Sequence, residues 1–267
     1  MGRLPRAIAH VRRARVPGLL TDSRENMMND LARLAIAAHG GLDTWRQFSR
    51  VTARLVNGGA LWHLKGVPGV LDDVHVTADL RRPWASHAPF RQPDLRTAFT
   101  PDRVAIERID GTVIEERRDP RAAFAGHTLE TPWDDLHLAY FAGYAMWTYL
   151  TTPFVLAWPG VTSDEVAPWQ EDARTEWRRL RVTFPETIAT HSREQTFYFD
   201  REGLLQRQDY AVDVMGGTTA AHYVSRHETI AGIVVPTRRL VYPPLADNRP
   251  DQALLVVSID LSDIAFT

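Results

Sequence analysis

The amino-acid sequence predicts a mainly β protein (α+β): a large curled antiparallel sheet covered by about two helices. Three observations lead there. About ten short segments carry strand character and are separated by hairpin turn signals such as Asp110-Gly111 and Ala231-Gly232. Only two segments show helical periodicity, one before the strands and one in their midst. A sheet of that width must curl, and only those two helices are available to cover its apolar face.

Residues 1–26 begin with the basic cluster Arg3, Arg6, Arg12, Arg13 and Arg15, without an apolar run of the kind a secretory signal needs. They lack the apolar periodicity that would dock them and are expected to form a poorly ordered extension to one domain over 27–267. In "NDLARLAIAAHGG", Leu31, Leu34, Ala35 and Ala38 share one helical face, and Asn29 or Asp30 can cap it. Gly40 and Gly41 supply the left-handed stop, and "LDTWRQF" adds one more turn. "VTARLVNGGALWHLKG" is expected to be a hairpin pivoting on Asn57-Gly58, and "DDVHVTADL" a strand. "RRPWASHAPFRQP" is punctuated by prolines and reads as a loop or edge segment, and "TAFTPDRVAIERIDGTVIEERRD" as a hairpin turning at Asp110-Gly111.

A long helix is expected at about 132–150, with Thr131 as its cap, Pro132 in its first turn and Pro153 as the stop beyond its end. After "PGVTSDEVAPW" the chain is nearly all strand. "EWRRLRVTF" comes first, and a hairpin then turns at Asp200 to Gly203. A second turns at Ala231-Gly232, and "ALLVVSIDLSDIAF" closes the chain.

Composition narrows the chemistry. The chain has 267 residues, 44% hydrophobic and 24% charged, with a net charge of −2, which suits a packed globular core and offers no basic surface for nucleic acid. Lys65 is the only lysine. The absence of cysteine excludes disulfides, thiolate nucleophiles and cysteine-ligated metals. No stretch approaches the roughly 18 apolar residues of a membrane span, so no stable membrane insertion is expected and the default location is the cytoplasm. No GxSxG, P-loop, dinucleotide fingerprint or HExxH is present, and no cofactor is expected. His63, His75 and His87 recur at intervals of twelve, but without an HxH or HxxxH pair no metal site is expected.

A helix ending in "AHGGLDTW", then a long run of antiparallel strands with a later helical insertion and the hairpin "FYFDREGLLQRQDY", resembles the lipoprotein-localisation fold. That is the half-open barrel of the LolA and LolB carriers, which a violacein-pathway enzyme also uses. The resemblance is one of layout over residues 29–267 and implies a hydrophobic cavity between concave sheet and helices, without implying an activity.

The segment "WDDLHLAYFAGYAMWTYL" is where a site is expected. Trp133, His137, Tyr140, Tyr144 and Trp147 follow i, i+4, i+7, i+11 and i+14 and so share a stripe of rings with polar handles. Leu136, Ala139, Gly143, Met146 and Leu150 form a second, apolar stripe with Gly143 at its narrowest point. The ring stripe suits either a cavity wall or a plug over the open side of the sheet. Asp134 and Asp135 complement the positive end of the helix, and Asp134 lies three residues before His137, where it could orient the imidazole as a general base. Arg91 could meet an anionic ligand group at the cavity mouth. Farther on, His191, Glu194, Gln195 and Tyr198 lie near one another in sequence but form no triad.

The function expected is binding of a hydrophobic or aromatic small molecule, with Trp133, Tyr140, Tyr144, Trp147 and Arg91 as contacts. The alternatives are a cofactor-independent enzyme of secondary metabolism using His137 and Asp134, and a module that binds a partner along its sheet edge.

Overall fold

The computed structural model describes residues 28–267; the extension expected at 1–26 lies outside them. In chain order the helices are α1 (Asp30–Ala38), α2 (Gly41–Trp45), α3 (Leu61–Leu64) and α4 (Asp135–Thr151). The strands before α4 are β1 (Arg50–Gly58), β2 (Asp73–Asp79), β3 (Ala85–Ala88), β4 (Leu95–Thr100), β5 (Arg103–Arg108) and β6 (Val113–Arg118). Those after it are β7 (Thr162–Gln170), β8 (Glu176–Thr183), β9 (Glu194–Phe199), β10 (Leu205–Val212), β11 (Thr218–Ile230), β12 (Ile233–Tyr242) and β13 (Val257–Phe266).

All thirteen strands form one antiparallel sheet in the order β6-β5-β4-β3-β2-β1-β13-β12-β11-β10-β9-β8-β7. The sheet is curled but not closed. Its first and last strands pair at the centre, Leu55 opposite Leu261 and Asn57 opposite Ile259. Its two edges, β6 and β7, are consecutive in sequence. The segment that joins them must therefore cross from one edge of the curl to the other, and it carries α4 with it.

The sheet has more strands than the expected ten, and two of them lie in segments whose sequence hides them. β3 is only four residues long, and β7 is an edge strand with mostly solvated side chains and no clear apolar alternation. The hairpin expected at Asn57-Gly58 is absent. β1 runs instead into the single turn α3, and β2 returns only at Asp73. The adjacent Leu61 and Trp62 are both buried, which a helical turn permits and a half-buried strand, sending neighbours to opposite faces, does not. The Trp62 indole N–H closes the corner on the Gly58 carbonyl at 3.0 Å.

α1 begins at the Asn29 cap, whose side chain accepts the Leu31 N–H at 2.8 Å. Its buried face is Leu31, Ala32, Ala35 and Ile36, with Leu34 and Ala38 at the margin. Gly40 ends it at φ +115°, and a Cβ there would stand 2.2 Å from the Gly232 carbonyl oxygen, so only glycine fits the contact. Leu34 meets Gly203 in the β9–β10 turn. α1 thus covers the end of the barrel where the β9–β10 and β11–β12 turns lie.

α4 is not a one-sided lid. Leu136 and every residue from Leu138 to Thr151 are buried, so the helix is a core element embraced by the concave sheet. It starts three residues later than the sequence suggests. Asp134, not Thr131, is the N-cap, because its carboxylate accepts the His137 N–H at 2.7 Å while His137 Nδ1 takes the Asp134 N–H at 3.3 Å. Among the described residues no helix is long and apolar enough to cross a membrane.

Candidate functional site: a cavity under the central helix

A cavity of about 120 Å³ remains between α4 and the concave face. The helix contributes Phe141, Ala142, Ala145, Met146 and Tyr149, an i, i+4, i+8 row with its neighbours, and the two alanines leave the space. The sheet contributes apolar side chains of β10–β13 such as Val212, Val241 and Ile259, together with Tyr210 of β10, His87 of β3 and Asn57 of β1. Half-exposed Tyr242 and Pro243 and exposed Leu254 mark its mouth. Among the described residues no Lys, Arg, Asp or Glu lines it.

One part of the wall is polar. The Tyr149 hydroxyl lies 2.7 Å from His191 Nε2 and 2.9 Å from the Tyr210 hydroxyl. Tyr210 continues to His222 Nδ1 at 3.3 Å, and His191 Nδ1 meets the Tyr144 hydroxyl at 3.3 Å. A neutral imidazole donates from one nitrogen and accepts at the other, so His191 takes a hydrogen from one of its two tyrosine hydroxyls and gives one to the other. His191 also stacks flat on Tyr210, with ring centres 4.0 Å apart. Its loop is held in place because Arg121 donates to the carbonyls of Thr190 (2.9 Å) and His191 (3.3 Å) and pairs with Asp213 at 2.8 Å.

Burial dominates the electrostatics. It lowers the His191 pKa to about 3, with the Arg121 charge pushing the same way. Burial lifts Tyr149 to about 12, opposed by the Tyr210 hydrogen bond and by Arg239. His87 falls to about 4 through burial alone. At neutral pH these cavity groups are all uncharged. Behind Tyr149, the buried Arg239 donates to the Tyr149 carbonyl at 2.9 Å and lies 4.9 Å over its ring. The carbonyl-rich end of α4 and the ring face stabilise this guanidinium. Even so, burial lowers its pKa to about 10.

The ring stripe expected from the sequence lies elsewhere on the helix. Trp133 packs on Phe124 and Phe141, with the Lys65 ammonium 4.8 Å from its ring. Tyr140 is wedged among Phe99, Phe124 and Tyr144. The Trp147 indole N–H is taken by the Asp79 carbonyl at 2.9 Å. Tyr144 stands one hydrogen bond behind the cavity, through His191.

His137 and Asp134 do come together, but as the capping box. Arg117 holds Asp134 at 2.6 Å, and His137 Nε2 lies 3.2 Å from the Ala123 carbonyl. Burial lowers the His137 pKa, with Asp134 opposing. Burial works to raise that of Asp134, yet the Arg117 hydrogen bond and the His137 N–H hold it below its ordinary value. Arg91 pairs with Asp135 at 2.6 Å. The structure thus keeps Trp133, His137, Tyr140, Trp147 and Arg91 off the cavity wall. Nor do the strand histidines converge: His75 is exposed, while His87 on the neighbouring strand is buried.

The polar residues at the wall are Tyr149, His191, Tyr210, His87 and Asn57, with Thr218 and Thr219 of β11 and, at the mouth, Tyr242. The sequence does carry a signal for the first of them. Phe141, Ala145 and Tyr149 recur at four-residue spacing beside Ala142 and Met146, a row with small residues at its middle.

No protein-family profile matches the chain, and no curated protein matches it. Three solved structures superpose on it to different degrees. A DUF1329 family protein from Desulfovibrio piger superposes with a TM-score of 0.51 at 10% identity, covering 88% of this chain and 91% of its own. A LolA superfamily protein from Nitrosomonas europaea gives 0.47 at 10% identity over 87% and 93% of the two chains. The Mycobacterium tuberculosis lipoprotein LppX gives 0.26 at 11% identity over 88% and 94%. The likeness is one of fold alone: the chain has the LolA/LolB-like half-open barrel, a curled antiparallel sheet around a buried helix.

Proposed function

We propose that the protein binds an apolar or aromatic small molecule in the cavity between α4 and the concave sheet. The observation that carries this reading is the cavity itself: about 120 Å³ of space, walled mainly by apolar side chains and opening at Leu254. Well-packed interiors close such voids, because their linings forfeit dispersion contacts. An engineered apolar cavity of about 150 Å³ takes one benzene, so the space here suits a ring or a short chain end.

Titration calorimetry with toluene tests the proposal. Saturable one-site binding is expected, and it is lost when Ala145→Leu or Ala142→Leu fills the space. Toluene that fails to saturate, or binds these filled variants as well as the parent, overturns it.

A second reading, acid–base chemistry without a cofactor, is favoured by the 2.7 Å contact of Tyr149 with His191 at the wall. In that reading His191 and Tyr149 exchange the proton, since they border the cavity and His137 does not. The low His191 and high Tyr149 pKa values hold the proton on the phenol in the resting state, which weighs toward binding. Turnover of a bound compound that disappears in His191→Gln, with its affinity kept, would establish the chemistry.

A further inference from the structure

Among the described residues, two polar atoms at the cavity wall have no hydrogen-bond partner: His87 Nε2 and Asn57 Oδ1. His87 is fully buried on β3, opposite Val76 on the concave face. Its surroundings define which nitrogen carries the hydrogen. The Thr97 hydroxyl oxygen accepts the His87 backbone N–H at 2.8 Å, and the acceptor within reach of its own hydrogen, among the described residues, is His87 Nδ1 at 3.4 Å. The tautomer assigned to the neutral ring is therefore the one in which Thr97 donates to Nδ1, which pairs the hydroxyl hydrogen and leaves the ring hydrogen on Nε2. The wall thus holds a buried donor with nothing to donate to. A buried donor left unmade costs its full desolvation, so a ligand that supplies an acceptor there gains more than the bond alone suggests.

The rest of the wall limits the charge of that ligand. No lysine or arginine lines the cavity among the described residues. His87 and His191 stay neutral because burial disfavours their charged forms. The second unpartnered atom, Asn57 Oδ1, is an acceptor and repels an anion. A carboxylate or phosphate entering here would shed its water and meet no counter-charge. A cation would find no carboxylate either.

We infer that the molecule held in this cavity is uncharged and carries one hydrogen-bond acceptor, a carbonyl, ester or hydroxyl oxygen, that docks on the Nε2–H of His87. This rests on the binding reading above and assigns to the cavity a specificity residue that the ring stripe of α4 does not contain. The apolar body of the ligand fills the space beside Ala142 and Ala145, and His87 orients it.

Three probes of similar size separate the possibilities: ethylbenzene, acetophenone and benzoate. The protein should bind ethylbenzene and acetophenone saturably, and benzoate at least about a hundredfold more weakly at neutral pH because its charge is buried unpaired. The infrared carbonyl stretch of bound acetophenone should lie below its value in hexane, as hydrogen bonding requires. In His87→Leu that downshift should vanish, and the preference for acetophenone over ethylbenzene should fall by about tenfold, the upper range for one hydrogen bond.

Ethylbenzene that binds while the carbonyl stretch stays at its hexane value overturns the role of His87 and leaves the cavity reading standing. Benzoate binding as tightly as acetophenone overturns the neutral-ligand assignment. Binding of neither neutral probe overturns both readings together. The infrared measurement on the unsubstituted protein decides the matter even where His87→Leu does not fold.

Discussion

Gly143 of α4 lies against Phe99 of β4 so closely that a Cβ on the glycine would stand 2.4 Å from that of the phenylalanine. This contact seats the buried helix on the first half of the sheet, and it explains the narrow point in the apolar stripe.

Gly143→Ala is therefore expected to destabilise the protein by about 1–3 kcal/mol through overpacking, against the helix-propensity gain alanine brings elsewhere. Urea unfolding measures it. A more stable Gly143→Ala protein would show that β4 yields freely. Phe99→Gly leaves a hole of its own, yet it removes the Cβ that the new methyl meets, so combined with Gly143→Ala it should cost less than the two single losses together.

Acid should unfold the protein at an unusually mild pH. Burial lowers His39 and His87 to about 4 and His191 to about 3, from an ordinary 6.5. Burial disfavours the charged ring, so on acidification the unfolded chain takes up these protons first. Stability is intact above about pH 6.5 and falls as the pH drops from there toward 4. Each histidine contributes about 1.4 kcal/mol per pH unit within that window. Circular dichroism against pH should place the unfolding midpoint between about 4 and 6, for a total stability of ordinary size. A protein still fully folded at pH 3.5 would contradict the burial of these rings.

Asp134→Ala should cost about 1 kcal/mol, because it removes the N-cap of α4 and the partner of Arg117. His137→Gln should lower the melting temperature by a few degrees and leave toluene affinity within about twofold, since the imidazole caps the helix away from the cavity. A tenfold loss of affinity in His137→Gln would return that residue to the site.

Tyr149→Phe removes the hydroxyl that joins His191 to Tyr210. It strands His191 Nε2 in a dry wall, at an expected cost of about 1–3 kcal/mol in thermal or chemical unfolding. Unchanged stability would mean that water or a neighbour replaces the phenol.

The hairpins at Asp110-Gly111, Asp200 to Gly203 and Ala231-Gly232 were legible because local turn chemistry dictates them, and each joins strands that pair in the sheet. Asn57-Gly58 carries the same local signal and does not make a hairpin, since burying Leu61 and Trp62 together under the sheet outweighs it. The Asn29 cap and the Gly40 stop of α1 were also readable, as both depend on residues within a few positions.

A wide antiparallel sheet with a helix before its strands and a ring-rich helix between them could be read from residue order, because hydrophobic period and turn residues act locally. The hydroxyl-bearing rings of α4 were equally plain. Which side of that helix faces a void could not be read in this way. A helix buried all round has no polar face to orient it, so its rotation follows from long-range packing such as Gly143 on Phe99. The same holds for the wall itself. Tyr149, His191, Tyr210 and His87 come from a helix, a loop and two strands, and they meet only because the sheet curls around α4.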